Sequence, residues 1–449
     1  MPVNSATVSH SSSYPDLARH LFQMTWPMLF GVLSLMSFQL VDSAFIGQLG
    51  VLPLAAQGFT LPMQMVVIGL QVGLGIATTS LISRVLGANE PQRAKQLGGL
   101  VVLTGGIGVF VICWLIWLLR GPILSLLGAP ENVYPVIDAY WPVWLGSAWT
   151  GAMVYFAYSL CRANGNTMVP GIMMVVTSLL NIALDPLFIF TFDMGLAGAA
   201  WATIVSFATG MLVVYPLVFK RHWMSFQWQG LDVLSSVKEL GDIMAPAMLS
   251  QLLPSLSSML ATKLVAGFGA ATVAAWALGS RLEFFSIVVI LALTMSMPPM
   301  VGRLLGAGDI NKIKALVGIA VKFVLIWQLL IAAILFFASP YLSQLLTSEV
   351  SVGNVLSLHL TWLPISLGPL GVCMLMVSIC NALSLPMRAL LISGLRLFVC
   401  FLPILWLGAY LAGLEGMFVG AMLGNFAAGI TAWVLYQKGL QTVMNKYCK

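Results

Sequence analysis

The sequence predicts an all-α integral membrane protein with twelve transmembrane helices, arranged as two pseudo-symmetric bundles of six. Of its 449 residues, 60% are hydrophobic and 8% are charged, with a mean hydropathy of +0.98, whereas about 25% of the residues of soluble domains are charged. Apolar stretches of about 20 residues, the length that spans a bilayer, recur along the whole chain. The second half of the chain also repeats features of the first half.

The longest connection between these stretches, residues 220–238, divides them into two sets of six. We therefore expect a cytoplasmic tail at 1–16, which has no basic or cleavable signal sequence, followed by an amino-terminal lobe at 17–219, a cytoplasmic linker at 220–238, a carboxy-terminal lobe at 239–437 and a cytoplasmic tail at 438–449. The predicted spans are 17–49, 52–84, 94–119, 133–160, 168–191, 196–219, 239–267, 271–303, 313–338, 353–380, 387–410 and 415–437.

Lysine and arginine residues are concentrated on one side of this arrangement, and only Arg120 falls on the other. Because short cytoplasmic loops carry an excess of these residues, both termini are predicted to be cytoplasmic. This topology accounts for the net charge of +6, so we expect no nucleic-acid partner. The residues assigned to the cytoplasmic side are Arg84, Arg93, Lys95, Arg162, Lys220, Arg221, Lys238, Arg303, Lys312, Lys314, Arg388, Lys438, Lys446 and Lys449.

The two halves share an internal repeat with an offset of 219 residues. The segment SRVLGANEPQRAKQLGG at 83–99 corresponds to GRLLGAGDINKIKALVG at 302–318, and Pro27 corresponds to Pro246. Each half has an even number of helices, so an axis along the membrane normal should relate the halves. The two bundles would then face each other across a central cleft.

The sequence contains no motif for ATP hydrolysis or for another enzymatic reaction. The patterns G-x-x-x-x-G-K, H-E-x-x-H and G-x-S-x-G are absent, and the six cysteines show no C-x-x-C spacing. We therefore expect that the protein is not an enzyme and that it has no metal site and no organic cofactor. Ionisable residues within the apolar spans are therefore the functional candidates, since such residues are costly in a bilayer.

Two acidic residues lie in apolar spans of the first half, Asp42 in FQLVDSAFIG and Asp185 in LLNIALDPLFIF. Asn181 precedes Asp185 by four residues, so both lie on one face of a helix. The helical rise places Tyr140 and Thr203 at a similar depth, in the predicted outer half of the bundle. We predict that these five side chains form one polar cluster, whose oxygen atoms are suited to a proton or to Na⁺.

The internal repeat favours a functional role for this cluster over a purely structural one. A purely structural hydrogen-bond network, which is the alternative, would be expected in both halves. Burial in a medium of low dielectric disfavours the charged form of a carboxyl group, as a proton-coupling residue requires. The residues at the positions of Asp42, Asp185, Asn181 and Tyr140 in the second half are Ala261, Ile404, Cys400 and His359.

Twelve spans in two repeats, the paired SRVLGA and GRLLGA loops, and the first span TWPMLFGVLSLMSFQLVDSAFIGQLG resemble the multidrug and toxic compound extrusion (MATE) family over essentially the whole chain. The resemblance implies a MATE fold in the bacterial inner (plasma) membrane. It also implies a secondary antiporter that exports amphipathic, often cationic compounds by alternating access, in exchange for H⁺ or Na⁺. We expect a monomer whose partners are such compounds and membrane lipid.

The polar cluster, together with Pro27, resembles the amino-lobe network of the DinF-like branch of this family. In that branch, protonation of the aspartate in the first helix is associated with bending of the helix at its proline and with outward release of substrate. The resemblance therefore implies a coupling role for Asp42 and a gating role for Pro27. Proline removes one helical hydrogen bond and permits bending, but a packing role shared with Pro246 is the alternative.

The NorM-like branch places its cation-binding acids in the carboxy lobe, and residues 243–267 and 353–380 contain none. Sodium would need several oxygen ligands to converge, whereas a proton needs one buried carboxyl group, so we favour protons and keep Na⁺ at the Asp42/Asp185 cluster as the alternative. Lys263, Arg281 and Glu283 of the second lobe either form salt bridges among themselves or contact substrate or a coupling cation.

Two other functions compete with drug export. A flippase for lipid-linked oligosaccharides shares the two-bundle design, but it would favour a row of basic residues along the cleft. In this sequence the cations at that depth are Lys263, Arg281 and Arg396. An intramembrane enzyme or receptor would need a catalytic pair of residues or an extramembrane domain.

Overall fold

The computed structural model describes residues 14–447, and all regular secondary structure in this part of the chain is helical. Most of the predicted amino-terminal tail and the last two residues lie outside the described range. The α-helices are α1 (Tyr14–Gly47), α2 (Val51–Gly87), α3 (Pro91–Leu118), α4 (Arg120–Leu126), α5 (Tyr134–Ala163), α6 (Met168–Pro186), α7 (Gly195–Lys220), α8 (Val233–Ala266), α9 (Ala270–Ser286), α10 (Val288–Gly306), α11 (Ile310–Leu346), α12 (Val350–Trp362), α13 (Leu367–Ala382), α14 (Pro386–Gly394) and α15 (Leu402–Tyr447).

These helices form twelve membrane-spanning segments in two bundles of six, which confirms the predicted fold. By length and hydropathy, ten segments of the described chain are suited to cross a membrane, and one of them, Pro386–Asn445, is 60 residues long. That segment holds two spans because the backbone of α15 leaves the helical conformation at Ala412 and Gly413. The segment α5 is not among the ten, but its 30 residues are enough to cross a bilayer at about 1.5 Å per residue.

Several predicted spans consist of more than one helix. The span predicted at 271–303 is divided at Ile287 into α9 and α10, and a 3₁₀ turn at Pro364–Ser366 separates α12 from α13. Short π-helical segments, Leu187–Thr191 and Leu395–Phe401, follow α6 and α14. Such π segments are rare and occur frequently at functional sites.

Helix α8 begins at Val233, within the segment predicted as the linker. Asp232 caps its first turn, because the carboxylate accepts a hydrogen bond from the backbone N–H of Ser235 at 3.2 Å. Helix α15 likewise continues through 438–447, which we predicted as part of the carboxy-terminal tail.

The sequence repeat is also a repeat of the backbone. Helices α1 and α8 end 219 residues apart, at Gly47 and Ala266. Gly50 and Gly269, at the same offset, both have φ of 103°, and Asn89 and Gly308 both adopt positive φ, at 62° and 74°. Turns that need the left-handed region of backbone conformation therefore recur at equivalent places in the two halves.

The two lobes touch at equivalent residues of α2 and α10, at an end of the molecule that we call the arginine end, defined by Arg84 and Arg303. A Cβ atom on Gly87 would overlap with the backbone of Arg303, and one on Gly306 would overlap with the backbone of Arg84. Arg84 also forms an ion pair with Glu239 of α8. The pseudo-symmetry axis therefore passes close to this contact.

Candidate ion-coupling site and cavities

Helices α1, α2, α5, α6 and α7 line a cavity of about 380 Å³ in the first lobe, which we call the first-lobe cavity. Its wall includes Asp42 of α1, Tyr140 of α5 and Thr203 of α7, together with Gln64 of α2. Three of the five residues predicted to form the ion-coupling cluster thus face one space, and the remaining two, on α6, are not part of its lining.

Asp185 is fully buried and Asn181 is 2% exposed. With its amide nitrogen turned towards the carboxylate, Asn181 donates a hydrogen bond to Oδ2 of Asp185 at 3.0 Å. In this orientation the amide oxygen of Asn181 accepts a hydrogen bond from Oγ1 of Thr203 at 3.1 Å. The four-residue spacing does place both side chains on one helical face, so the network runs from Asp185 on α6 to Thr203 on α7.

Asp42 is half-buried, and its buried Oδ1 has no hydrogen-bond partner among the described residues. Such an unsatisfied atom costs about 1–3 kcal/mol. Asp42 also lies within electrostatic range of Asp185 and Tyr140. Two nearby carboxylates repel each other when both are ionised, so a proton or another small cation bound at this pair would relieve the repulsion.

The described residues contain no group of three or more His, Cys, Asp or Glu side chains arranged to hold a metal ion. The oxygen atoms around Asp42 instead come from two carboxylates and from neutral side chains.

Helix α1 remains helical through Pro27, where α6 approaches it at the backbone. A Cβ atom on Gly171 of α6 would lie 2.6 Å from the carbonyl carbon of Pro27. The position equivalent to Gly171 in the second lobe is Leu390, so the same close approach does not recur beside Pro246. The two prolines therefore have different packing environments.

The predicted salt bridges among Lys263, Arg281 and Glu283 are not present in residues 14–447. Glu283 instead accepts a hydrogen bond from Nε2 of His359 at 2.7 Å, while Lys263 and Arg281 are exposed. The spacing of the three predicted residues along the chain does not indicate that His359 of α12 faces Glu283 of α9. None of the three predicted residues lines either of the two cavities described here.

The His359–Glu283 pair was missed by the sequence analysis. His359 is fully buried and lies edge-on to the rings of Trp276 and Phe418, with ring centroids 5.5 and 5.4 Å away. The repeat carried a signal for it, because His359 is equivalent to Tyr140 and Glu283 to Gln64, two residues that line the first-lobe cavity.

A second cavity of about 340 Å³ lies between the lobes, and we call it the interlobe cavity. It is lined by Arg162 of α5, which also borders the first-lobe cavity, and by Arg396, which lies in the π segment of the second lobe. Arg162, which we counted as a loop cation, belongs to the last turn of α5 and is 3% exposed. The sequence shows a basic residue after an apolar run, but it does not show that the other lobe covers it.

Two six-helix bundles that enclose a buried carboxylate cluster and an interlobe cavity define a polytopic membrane transporter. A family model described as MatE matches residues 27–187 and 246–407, one match in each lobe. The chain belongs to the MATE family of multidrug and toxic compound efflux transporters. Members of this family are transporters and not enzymes, which agrees with the sequence analysis.

Individual relatives resemble the chain over nearly its whole length. A protein of Shewanella oneidensis named FAD transporter is 30% identical over 96% of both chains. The multidrug export protein MepA of Staphylococcus saprophyticus is 24% identical over 91% of both chains. The crystal structure of the Vibrio cholerae MATE transporter VcmN in the bent form is 63% identical, covers 97% of this chain and 100% of that chain, and superposes with a TM-score of 0.95.

Proposed function

We propose that this chain is a DinF-like antiporter of the bacterial inner membrane that exports amphipathic, often cationic compounds in exchange for protons. The observation that carries the proposal is the pair Asp42 and Asp185 in the first lobe. One carboxylate is held by a neutral donor, and the other faces a cavity with an unpaired oxygen atom. This pair has no acidic counterpart at the equivalent positions of the second lobe.

The proposed cycle begins with Asp42 ionised and facing a cationic substrate in the first-lobe cavity. Uptake of a proton removes that negative charge, which weakens the attraction for the substrate and for neighbouring hydrogen-bond donors. The substrate then leaves towards the exterior, which is the side that supplies the proton.

Bending of α1 at Pro27 is the proposed link between protonation and the shape of the cavity. Proline lacks the N–H that would bond to the carbonyl group of Gln23, four residues earlier, so α1 is weakened there. The crystal structure of VcmN described as the bent form supports the idea that this fold has a conformer of that kind.

The choice of coupling ion follows from the number of ligands each ion requires. Sodium needs about five or six oxygen atoms at bonding distance, as hard cations do. A proton needs only one carboxyl group that is partly withdrawn from water, and Asp42 meets that requirement.

A second candidate substrate class is the flavin dinucleotides. It is favoured by the 30% identity, over 96% of both chains, to a relative named FAD transporter. The similarity to MepA, named a multidrug export protein, favours drugs. The family assignment favours an exporter of either class over the flippase alternative.

Efflux from cells tests the proposed function. A bacterial strain depleted of its own exporters would express the protein, Asp42→Asn, or Asp138→Asn, and export of a cationic dye and of FAD would be followed separately. Asp138 is an exposed acid paired with Arg120 at 2.8 Å, so it controls for loss of a charge. We expect Asp42→Asn to abolish export and Asp138→Asn to retain it. Normal export by Asp42→Asn at equal expression would refute the proposal.

A further inference from the structure

We propose that the interlobe cavity binds a phosphate-bearing anion, held by Arg162 of the first lobe and Arg396 of the second. This inference goes beyond the proposed function, which assigns the coupling ion and a cationic substrate to the first-lobe cavity and gives no binding site to its second substrate class, the flavin dinucleotides. It rests on the charges, hydrogen bonds and lining residues of the interlobe cavity.

Arg162 presents an unsatisfied donor group. Its Nη2 donates to Oγ of Ser159 at 2.8 Å, and its guanidinium group lies 5.0 Å from the ring centroid of Tyr155. Its Nη1 is buried without a partner among the described residues. Within residues 14–447, no carboxylate oxygen lies within 4.0 Å of this guanidinium group.

Arg396 lines the same cavity from the second lobe, where it belongs to the π segment Leu395–Phe401. It forms no ion pair in the part of the chain that the structure describes. The lining of the interlobe cavity includes no acidic residue, so the two positive charges meet no carboxylate within this cavity. Arg162 also lines the first-lobe cavity, whose wall contains Asp42.

An anion would satisfy this arrangement better than water alone. Removing an unpaired charge from water costs several kcal/mol, and a bound anion offsets that cost. The planar guanidinium group matches the oxygen atoms of phosphate with two parallel hydrogen bonds. The lining also includes the amide side chains of Gln251 and Asn381, which can donate to an anion, whereas the hydroxyl groups of Thr79, Thr294 and Ser378 donate to backbone carbonyl groups.

The size and position of the cavity indicate what kind of anion it takes. About 340 Å³ falls within the range of small-molecule sites, about 300–1,000 Å³. Two guanidinium groups, one from each lobe, suit a ligand with at least two negative charges, as in a diphosphate. Because the two arginines belong to different lobes, separation of the lobes would divide the pair and weaken binding.

Two sources supply this chemistry, a soluble nucleotide and the headgroup of an anionic phospholipid. We would reconstitute the full chain in nanodiscs of phosphatidylcholine, without an ion gradient, and titrate ADP, pyrophosphate and adenosine by calorimetry. We expect ADP and pyrophosphate to bind and adenosine not to bind, because adenosine lacks the phosphate groups.

Substitutions locate the site. Arg396→Gln should weaken ADP binding at least about tenfold, since it removes charge-assisted hydrogen bonds, and Arg162→Gln should act in the same way. Arg281→Gln is the matched control, because Arg281 is exposed and lies outside the lining of the cavity. Equal binding of adenosine and ADP, or equal losses in Arg281→Gln and Arg396→Gln, would overturn the proposal.

A second measurement distinguishes a lipid headgroup from a soluble nucleotide. If ADP does not bind, the phospholipid retained by the purified protein would be measured by mass spectrometry. Phosphatidylglycerol retained by the unmodified chain and lost from Arg396→Gln assigns the site to a lipid headgroup, whereas no retention and no ADP binding refutes a phosphate site. Binding is measured without transport, so a failure of proton coupling would leave this result unaffected.

Discussion

Glu239, near the start of α8, forms an ion pair with Arg84 at the end of α2 and so joins the two lobes at the arginine end. The same carboxylate lies 3.2 Å from Arg93 of α3. Arg84 also donates a hydrogen bond to Ser384 of the second lobe. Under the proposed alternating access, these contacts must break whenever the arginine end opens.

We expect Glu239→Gln to increase the population that is open at the arginine end. These side chains are partly exposed, so the pairs contribute at most about 1 kcal/mol, which corresponds to a roughly fivefold change in the ratio of conformers. Distances between spin labels on the two lobes would measure this ratio. Glu90→Gln is the control, because Glu90 pairs with Arg93 within one lobe. An equal shift of the conformer ratio in Glu239→Gln and Glu90→Gln would exclude a role for Glu239 in holding the lobes together.

The two equivalent prolines provide a test of the hinge in α1. Pro27→Ala restores a backbone N–H and stiffens the helix, so we expect it to slow transport much more than Pro246→Ala. Initial efflux rates in liposomes, at matched protein content, would show the difference. Similar losses in both variants would mean that the prolines share a packing role.

The close approach of α6 to Pro27 is expected to depend on Gly171. An added Cβ atom would overlap with the Pro27 backbone, and overpacking of this kind costs about 1–3 kcal/mol. Gly171→Ala should therefore lower the melting temperature in detergent. A Cβ atom on Gly108 would have no neighbour within 4 Å, so Gly108→Ala should have little effect. Unchanged melting of Gly171→Ala would show that α1 and α6 adjust freely.

Asp185→Asn should impair transport and change its pH profile. The substitution removes a carboxyl group that lies within electrostatic range of Asp42, and coupled carboxyl groups titrate as a pair. Transport rates measured across a range of pH, beside those of the unmodified protein, would report this coupling. Full activity with an unaltered profile would remove Asp185 from the proton-binding network.

Much of the fold could be predicted because the spans and the repeat are local or periodic properties of the sequence. The pairing of Asn181 with Asp185 followed from a four-residue spacing on one helix. The hydrogen bond between Glu283 and His359 joins residues 76 positions apart, and only the packing of α9 against α12 brings them together. No spacing rule within a single helix predicts such a contact.

A cleft between the bundles was predicted, with Arg396 among the basic residues at its depth, but the position of Arg162 in that cleft was missed for a related reason. The sequence identifies Arg162 as a basic residue at the end of a span, and the charge bias of loops explains its presence. Its burial depends on how the two lobes meet, and that geometry is set by contacts such as Gly87 with Arg303. The break in α15 at Gly413, where φ is 62°, was by contrast predicted, since it lies between the expected spans 387–410 and 415–437.

The central claim, proton coupling through Asp42, is tested most directly with purified protein in liposomes that contain nominally sodium-free buffer. An inward-directed pH gradient alone would be imposed while substrate export is followed, for the unmodified protein and for Asp42→Asn. We predict export by the unmodified protein and none above background by Asp42→Asn, because the amide keeps the shape of the side chain but does not titrate. Export that requires sodium and ignores the pH gradient would contradict the claim.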